Sequence, residues 1–522
     1  MASKPAQRLI EPQERPLAEA LAALDYANPF LAERTALERL ALGPDFDESD
    51  AHWQLAPDPA AHPPNVARLS RLAEDLVTRL HARLEHGARA EPHDLALYED
   101  LVLFHLYHSH RDTLADVIEE ALTLGDGRRA MSCYVGFEQR AGPLLHPRGV
   151  RLPSGYEPQH VFAFAFQVCR AFFHIYRYIV GSSPAAIALR AAIWQSIFTH
   201  DLRRYVRALY RRLADVSTLV TGPSGTGKEL VARAVGHSGY IPFDAPSRRF
   251  TQDFVGLFHP LNLSALSPTL IESELFGHRK GAFTGALDDR PGWFEASHAL
   301  GTVFLDEIGE TDLSIQVKLL RVLETRSFQR LGETRARRFE GRVLCATNRD
   351  LEREMRAGRF REDLYYRICS DRIVTPSLEE QLRGGAEGEL HRLVLFIARR
   401  MAGDEAAALA DEVVGWIDAE LGPGYAWPGN FRELEQCVRS VMIRGAYRPS
   451  RQGSEAPLDE LTRGVGAAEF TAEELLGRYT TLVYARAGSY EAAARRLGLD
   501  RRTVKAKVDE AWLARLRGGA AG

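Results

Sequence analysis

Five cysteines are few for 522 residues, and Cys133, Cys169, Cys345, Cys369 and Cys437 stand far apart with no CxxC pair among them. That pattern argues against a disulfide-stapled secreted scaffold and against a zinc ribbon, and it fits a reducing cytoplasm. Long apolar runs are also missing. The most apolar stretch, 161–180, is interrupted by Gln167, Arg170, His174 and Arg177, so it reads as a buried helix and not as a membrane span. The N-terminus has no basic-then-apolar leader pattern. An excess of one charge sign is lacking too: the formal net charge is only −4, so any basic surface has to be local. With 45% hydrophobic and 26% charged residues, neither wholesale disorder nor a membrane protein is indicated.

The length exceeds what one hydrophobic core supports and predicts three or four units. Residues 1 to about 60 are rich in Ala, Pro, Asp and Glu and read as a loosely tethered start. From 65 to 198 apolar residues recur at helical spacing. After Tyr210 the texture changes to short apolar runs closed by Gly-rich or acidic turns: STLV before TGPSGTGK, TVFL before DEIGE, RVLCA before TNRD. Strands alternating with helices in this way imply a parallel α/β sheet. A helical stretch follows over 379–447, then a Ser/Gly/Pro linker and a compact helical tail.

GPSGTGK sits directly after an apolar strand and opens a helix. Gly222, Pro223, Ser224, Gly225, Thr226 and Gly227 form a loop whose backbone N–H groups can converge on phosphate, and Lys228 reaches the β- and γ-phosphates. Glu229 stands where a Ser or Thr usually offers a hydroxyl to magnesium. Some eighty residues on, a strand closes with Asp306 and Glu307. The first carboxylate suits a magnesium ion, and the second suits the water that attacks the γ-phosphate.

Between these two sites lies ESELFGHRKGAFTGA, and GAFTGA (Gly281, Ala282, Phe283, Thr284, Gly285, Ala286) resembles the signature loop of sigma-54-dependent activators, the bacterial enhancer-binding proteins of the NtrC class. Its glycines allow movement, and an exposed tip carrying Phe283 and Thr284 calls for a partner. The resemblance covers about 183–447 and the tail, and implies an α/β AAA+ module, a parallel sheet plus helical lid, that hydrolyses ATP with Mg2+ and remodels RNA polymerase bound to sigma-54. By the same resemblance Asn262 in LNLSAL senses the γ-phosphate, Asn348 in ATNRD is the sensor I position, and Arg432 in WPGNFREL is the sensor II arginine. Arg361 and Arg367 in FREDLYYRI match arginines inserted into the neighbouring subunit's site, which implies a self-associated ring, expected to be a hexamer. Two departures stand out: GGAEGELHRL replaces the family's LRER…DI element, and 240–256 is longer than usual, an expected surface loop.

From Thr471 to Arg517 ten Lys or Arg face six acids. AGSYEAAARRLGLDRRTVKAKVDE reads as two helices joined through Gly498, with Asp500 as N-cap and Ala493, Leu497, Val504 and Val508 packing between them. It resembles a Fis-like helix-turn-helix, with Arg501, Arg502, Thr503, Lys505 and Lys507 placed for double-stranded DNA, expected at a palindromic upstream site bound by dimeric units.

The expected organisation is therefore a mainly helical regulatory domain (1–184), the α/β subdomain (185–374), the helical lid (375–447), a linker (448–470) and the helix-turn-helix (471–522), in a cytoplasmic protein. No receiver-like strand-end Asp pair or βα alternation precedes Ser183. His105, His108, His110 and Asp112 could share a metal but read more simply as helix-surface histidines near a helix end. Phe162, Phe164, Phe166, Phe172, Phe173, Tyr176 and Tyr178 line a ligand pocket or, more simply, fill the core. A DNA-binding repressor with a degenerate ATPase module is a competing reading that intact GAFTGA and paired carboxylates oppose. An ATPase remodelling something other than polymerase is a third, opposed by the helix-turn-helix.

Overall fold

The computed structural model describes residues 7–50, 64–297, 299–385, 387–422, 424–449, 457–466, 470–510, 512, 513 and 516. Residues 1–445 pack as one compact unit and 446–522 as a second.

The first unit opens with helices α1 (Arg15–Tyr26), α2 (Ala32–Leu42), α3 (Pro64–Glu85), α4 (Pro92–Leu124), α5 (Cys133–Leu145) and α6 (Pro158–Tyr178). A proline in the first turn starts α1, α4 and α6, where its missing N–H costs nothing. Gly125 stops α4 in the left-handed conformation at φ 68°. Residues from Gln7 onward are not loosely tethered. Leu9, Leu21 and Ala18 are fully buried, the Leu9 N–H donates to Arg89 O at 3.0 Å, and Glu14 pairs with Arg83 at 2.5 Å. The histidines lie in mid-helix and not near its end. His105 is buried, His108 packs on Phe104 at 4.2 Å, and His110 packs on Phe137 at 4.9 Å. No group of three or more metal-capable side chains comes together among the described residues.

Next come α7 (Pro184–Phe198), capped by Ser183, and α8 (Leu202–Arg207), capped by Asp201. The α/β layer then runs β1 (Thr218–Thr221), α9 (Lys228–Gly236), β2 (Phe243–Asp244), β3 (Arg249–Phe250), β4 (Phe258–Asn262), α10 (Pro268–Phe276), β5 (Gly277–His278), β6 (Arg290–Pro291), α11 (Trp293–Ala296) and β7 (Thr302–Asp306). It continues through α12 (Leu313–Thr325), β8 (Ser327–Phe328), β9 (Arg337–Arg338), β10 (Arg342–Thr347), α13 (Leu351–Arg356), α14 (Glu362–Ile368) and β11 (Asp371–Val374). Five strands form one parallel sheet in the order β11-β1-β10-β7-β4. The continuous apolar runs in the sequence follow from burial on both faces. One face packs against α6 to α9 through Trp194, Phe198 and Val231, the other against α10, α12 and α14 through Leu275, Leu319 and Leu364.

Residues 240–256 are not a surface loop. The β2/β3 hairpin inserts Phe243 and Phe250 into the helical core, where Phe250 lies 4.5 Å from Phe166 and 6.2 Å from Phe162, and Phe254 lies 5.0 Å from Phe166. Aromatic area this large gains more from a shared core than from a solvated loop. It fuses the helical layer to the sheet.

The lid is α15 (Leu378–Gly384), α16 (Glu389–Ala402), α17 (Ala406–Glu420) and α18 (Asn430–Arg444). The unusual GGAEGELHRL segment ties this lid to the turn between α6 and α7: buried Glu389 accepts from Ser182 N at 2.8 Å and Ser182 Oγ at 2.6 Å. The second unit holds α19 (Pro457–Gly466), α20 (Ala472–Ala487), α21 (Tyr490–Leu497) and α22 (Arg501–Lys507). The stretch expected as a linker thus carries a helix, while 450–456 and 467–469 lie outside the described residues.

Truncating the inserted hairpin tests the shared core. Phe250→Ala should cost about 3–5 kcal/mol in urea unfolding, as for a buried aromatic. A change within about 0.5 kcal/mol would return the hairpin to the surface.

Candidate active site

The phosphate loop joins β1 to α9 at the carboxyl edge of the sheet. Gly222, Gly225 and Gly227 have φ values of 152°, 79° and 87°, conformations that suit glycine. At Gly225 the reason is also steric, since a Cβ there would lie 2.3 Å from Gly429 O. Thr226 Oγ1 donates to Pro223 O at 2.8 Å and meets Thr375 Oγ1 at 2.6 Å, which pins the loop to the end of β11. Lys228 Nζ donates to Gly222 O and Pro223 O, both at 3.1 Å. Burial pulls its pKa below the usual lysine value, while Glu307 and Asp306 act in the opposite sense. The ammonium is poised at the loop mouth.

Asp306 ends β7 and Glu307 follows in the left-handed conformation at φ 56°, so the two carboxyls project from adjacent positions at the sheet edge. Burial and then the neighbouring Glu307 charge hold the Asp306 pKa above the usual aspartate value. Such an unneutralised oxygen pair fits a hard divalent cation. Glu229 does not contribute to this corner: its carboxylate is bound by Arg233 at 2.7 Å, one turn along α9. Asn262 is the register partner of Asp306 across β4 and β7, and its side chain accepts from Ser264 N at 3.0 Å. The Asn348 backbone N–H reaches Glu307 Oε2 at 3.3 Å. The sheet register therefore assembles Asn262, Asp306, Glu307 and Asn348 beside the phosphate loop.

The lid closes the third side. Phe431 N donates to Gly225 O at 3.1 Å, and Arg432 Nη1 lies 3.4 Å from Ser224 Oγ. Asn430 was not singled out in the sequence, yet it bridges the layers. Its Nδ2 donates to Ser224 O at 3.0 Å and its Oδ1 accepts from Leu378 N at 2.9 Å, from a backbone at φ 53°. An Asn directly after Gly in WPGNF is the available signal, since Asn tolerates that conformation better than most residues.

The GAFTGA loop spans the β5/β6 hairpin that continues directly from α10. Gly281 N donates to Ala286 O at 2.9 Å, and Gly281 and Gly285 take φ of 80° and 102°. Phe283 is not at an exposed tip: it is half-buried with its ring 5.0 Å from His278, whose Nδ1 lies 2.7 Å from Ser273 Oγ. Thr284 is exposed, and the outermost apolar side chain is Leu287, 77% exposed.

The family described as Sigma-54 interaction domain matches residues 195–374. Residues 195–374 are a sigma-54 interaction domain. Its fold is that of an AAA+ ATPase module, flanked by helical regions on both sides. Nif-specific regulatory protein of Klebsiella pneumoniae is 44% identical over 232 residues, 44% of this chain and 40% of the relative. Hydrogenase transcriptional regulatory protein HoxA of Bradyrhizobium diazoefficiens is 45% identical over 240 residues, 45% of each chain. Anaerobic nitric oxide reductase transcription regulator NorR of Salmonella paratyphi C is 41% identical over 259 residues, 47% of this chain and 44% of the relative. The chain thus spans less than half the length of these relatives. Among solved structures, NtrX from Brucella abortus aligns with TM-score 0.39 and 24% identity over 69% of this chain and 76% of that one.

Within the sigma-54 interaction domain, Arg361 and Arg367 stand apart from the phosphate loop. Arg361 opens α14, is paired with Asp363 at 2.6 Å, and has its backbone N–H held by buried Gln316 at 2.9 Å. Arg367 donates to Leu323 O at 2.7 Å. Among the described residues neither guanidinium bonds Asp306, Glu307 or Lys228.

In the second unit α21 and α22 pack through Ala493 and Val504, with Leu497 and Val508 partly buried against them. Asp500 caps α22 by accepting from Arg502 N at 2.8 Å and Thr503 N at 2.9 Å, and Thr503 Oγ1 donates to it as well. Arg501 pairs with Glu491 at 2.8 Å, Arg502 and Lys505 are exposed, and Lys507 and Thr503 are half-exposed.

Asn430→Ala should lower the unfolding free energy by about 1–3 kcal/mol through the orphaned Ser224 and Leu378 groups, with about 1–2 kcal/mol more from the left-handed backbone. Asn430→Gly relieves the backbone part alone and should melt above Asn430→Ala. Thermal melts in which both variants match the wild type would remove Asn430 as the lid's anchor.

Proposed function

We propose that the chain is an ATP-hydrolysing transcriptional activator that binds upstream DNA and remodels RNA polymerase carrying sigma-54 to allow open-complex formation. The observation that carries this reading is the covalent route from site to loop. Asn262 lies beside Asp306, β4 leads into α10, and α10 continues without a break into the hairpin bearing GAFTGA. A shift of Asn262 when the γ-phosphate leaves would tilt α10, which Lys318 of α12 grips through Glu272 at 2.5 Å, and so move Thr284 and Leu287. Folding of Phe283 onto His278 suits a withdrawn loop that must be released to meet its partner.

In the chemical step Lys228 and the loop N–H groups hold the phosphates. Glu307 accepts a proton from the attacking water, with the Asn348 backbone N–H bonded to its carboxylate. Arg432 and Asn430 bring the lid onto the nucleotide. Magnesium, held by Asp306, would neutralise charge between the β- and γ-phosphates. With Glu229 turned to Arg233, no side-chain hydroxyl from that position joins it. Arg361 faces outward, as a residue serving a neighbouring subunit must, so hydrolysis needs a ring, and Arg367 holds the α14 register through Leu323. The divisions 1–184, 185–374, 375–447 and 471–522 then correspond to control, motor, lid and DNA reader. The reader uses Arg502, Lys505 and Lys507, with Thr503 and Arg501 at the helix start, on double-stranded DNA in the cytoplasm.

Glu307→Gln should retain ATP binding and lose roughly 10²–10⁴-fold in steady-state hydrolysis, the usual contribution of a general base. Wild-type turnover would refute its role. Thr284→Ala should hydrolyse ATP at the wild-type rate yet fail to bind sigma-54 in the presence of a transition-state analogue; retained binding would remove the loop from the interface. Arg502→Ala should weaken DNA binding and reduce the slope of log affinity against log salt by about 1 if it contacts phosphate. An unchanged affinity would move the DNA contact elsewhere.

A further inference from the structure

The helical layer is not filled throughout. The aromatic residues of α6 divide in two: Phe162 and Phe166 are fully buried in the core with the inserted hairpin, whereas Phe164, Phe172, Phe173 and Tyr176 are half-buried and turn toward a cavity of about 510 Å³. Its walls come from α1, α2, α3, α4 and α6, and Trp194 of α7 and Leu202 of α8 complete them. That volume lies within the roughly 300–1,000 Å³ of small-molecule sites, and walls of aromatic and aliphatic side chains with some polar groups among them are their usual character. The space is larger than packing defects in a domain of this kind leave.

The charged side chains of the lining are three acids and three bases, Asp25, Glu38, Glu119, Arg34, Arg111 and Arg177, so neither sign of guest is favoured. Arg34 and Glu38 meet at 2.6 Å and neutralise each other in the buried wall. Asp25 faces the cavity from α1, and burial followed by the nearby Asp100 raises its carboxyl well above the usual aspartate range, against the pull of Arg203. Tyr107 and Tyr176 place phenol rings in the same lining. Phe172 stacks on Tyr176 at 6.2 Å and meets Trp194 at 4.9 Å, a set of ring faces that suits a flat guest.

We propose that this cavity binds an uncharged, planar aromatic small molecule with a hydrogen-bonding group directed at Asp25, and that its occupancy is transmitted to the phosphate loop. The route is short and packed. Trp194 touches Phe198 at 4.4 Å, and Phe198 shares a core with Val220 of β1 and Val231 and Val235 of α9. From the same helix that lines the cavity, Gln167 donates to Ser238 O at 2.9 Å and His174 stacks on His237 at 4.9 Å. Arg170 donates to Gly239 O. These three bonds or contacts grip the turn that ends α9, the helix begun by Lys228. A guest that shifts α6 therefore shifts the far end of the helix that Lys228 begins.

The site assignment stands without the motor reading, whereas the transmission rests on it, and the experiment separates them. Full-length protein is titrated with 1-aminoanthracene, a neutral planar fluorophore that brightens on leaving water, and ATP turnover is measured on the same samples. Saturable one-to-one binding is expected, weakened roughly tenfold or more, about 1.4 kcal/mol, by Ala115→Phe. Ala165→Leu, which fills the space from the opposite wall, provides a second variant should the first fail to fold. Both should melt at or above the wild-type temperature, because each fills a void. Turnover should change with 1-aminoanthracene in the wild type and not in the filled variants. Absence of saturable binding, or binding undiminished in both filled variants, overturns the site. Binding with turnover indifferent to the fluorophore overturns the transmission alone.

Discussion

The phosphate loop is gripped from two sides, and the arrangement of the larger unit depends on that grip. On one side Asn430 and Phe431 of the lid bond Ser224 and Gly225; on the other, Gln167, Arg170 and His174 of α6 hold residues 237–239 at the far end of the helix that the loop begins. Neither grip is a simple hydrophobic contact. Arg170 is fully buried with its guanidinium over the rings of Phe166 and Phe254, and burial lowers its pKa to about 9. His174 and His237 are likewise pushed below the usual histidine range by burial, so they stack as neutral rings. The Gln167 amide and the Arg170 guanidinium bond the backbone of Ser238 and Gly239, and a displaced α6 would lose both bonds inside the core.

This grip makes the N-terminal layer part of the motor's framework. The inserted β2/β3 hairpin adds to it, since its phenylalanines belong to the sheet's chain but to the helical core's packing. Glu389 adds a third tie, from the lid to the turn between α6 and α7. A helical layer joined in this way can bias the phosphate loop through rigid packing and needs no flexible tether.

Much of the motor was legible because its chemistry is local in sequence. A glycine loop, a strand-end acid pair and a hairpin with paired glycines each need specific residues at fixed spacing, and the sheet register then brings Asn262 beside Asp306 and Asn348 to Glu307. The α21–α22 helix pair was legible for the same reason, through Gly498 and the Asp500 cap. What escaped depends on long-range packing. The 240–256 segment has the composition of a loop, and only the presence of Phe162 and Phe166 across a fold boundary makes its phenylalanines core. Phe283 folds onto His278 because Ser273 fixes that imidazole five residues earlier. Asn430 bonds partners 206 and 52 residues away, and no local pattern announces them. The α6 aromatics defeat periodicity outright, since filling a core and lining a cavity use the same side chains at the same spacing.

In the proposed function, ATP hydrolysis by this chain melts promoter DNA held by sigma-54 polymerase. Permanganate footprinting of a sigma-54 promoter preloaded with holoenzyme tests it directly. The account predicts reactive thymines at the start site only when this protein and hydrolysable ATP are both present, and a closed promoter with a non-hydrolysable analogue. Equal melting with the analogue, or melting of a sigma-70 promoter in place of the sigma-54 one, would contradict it.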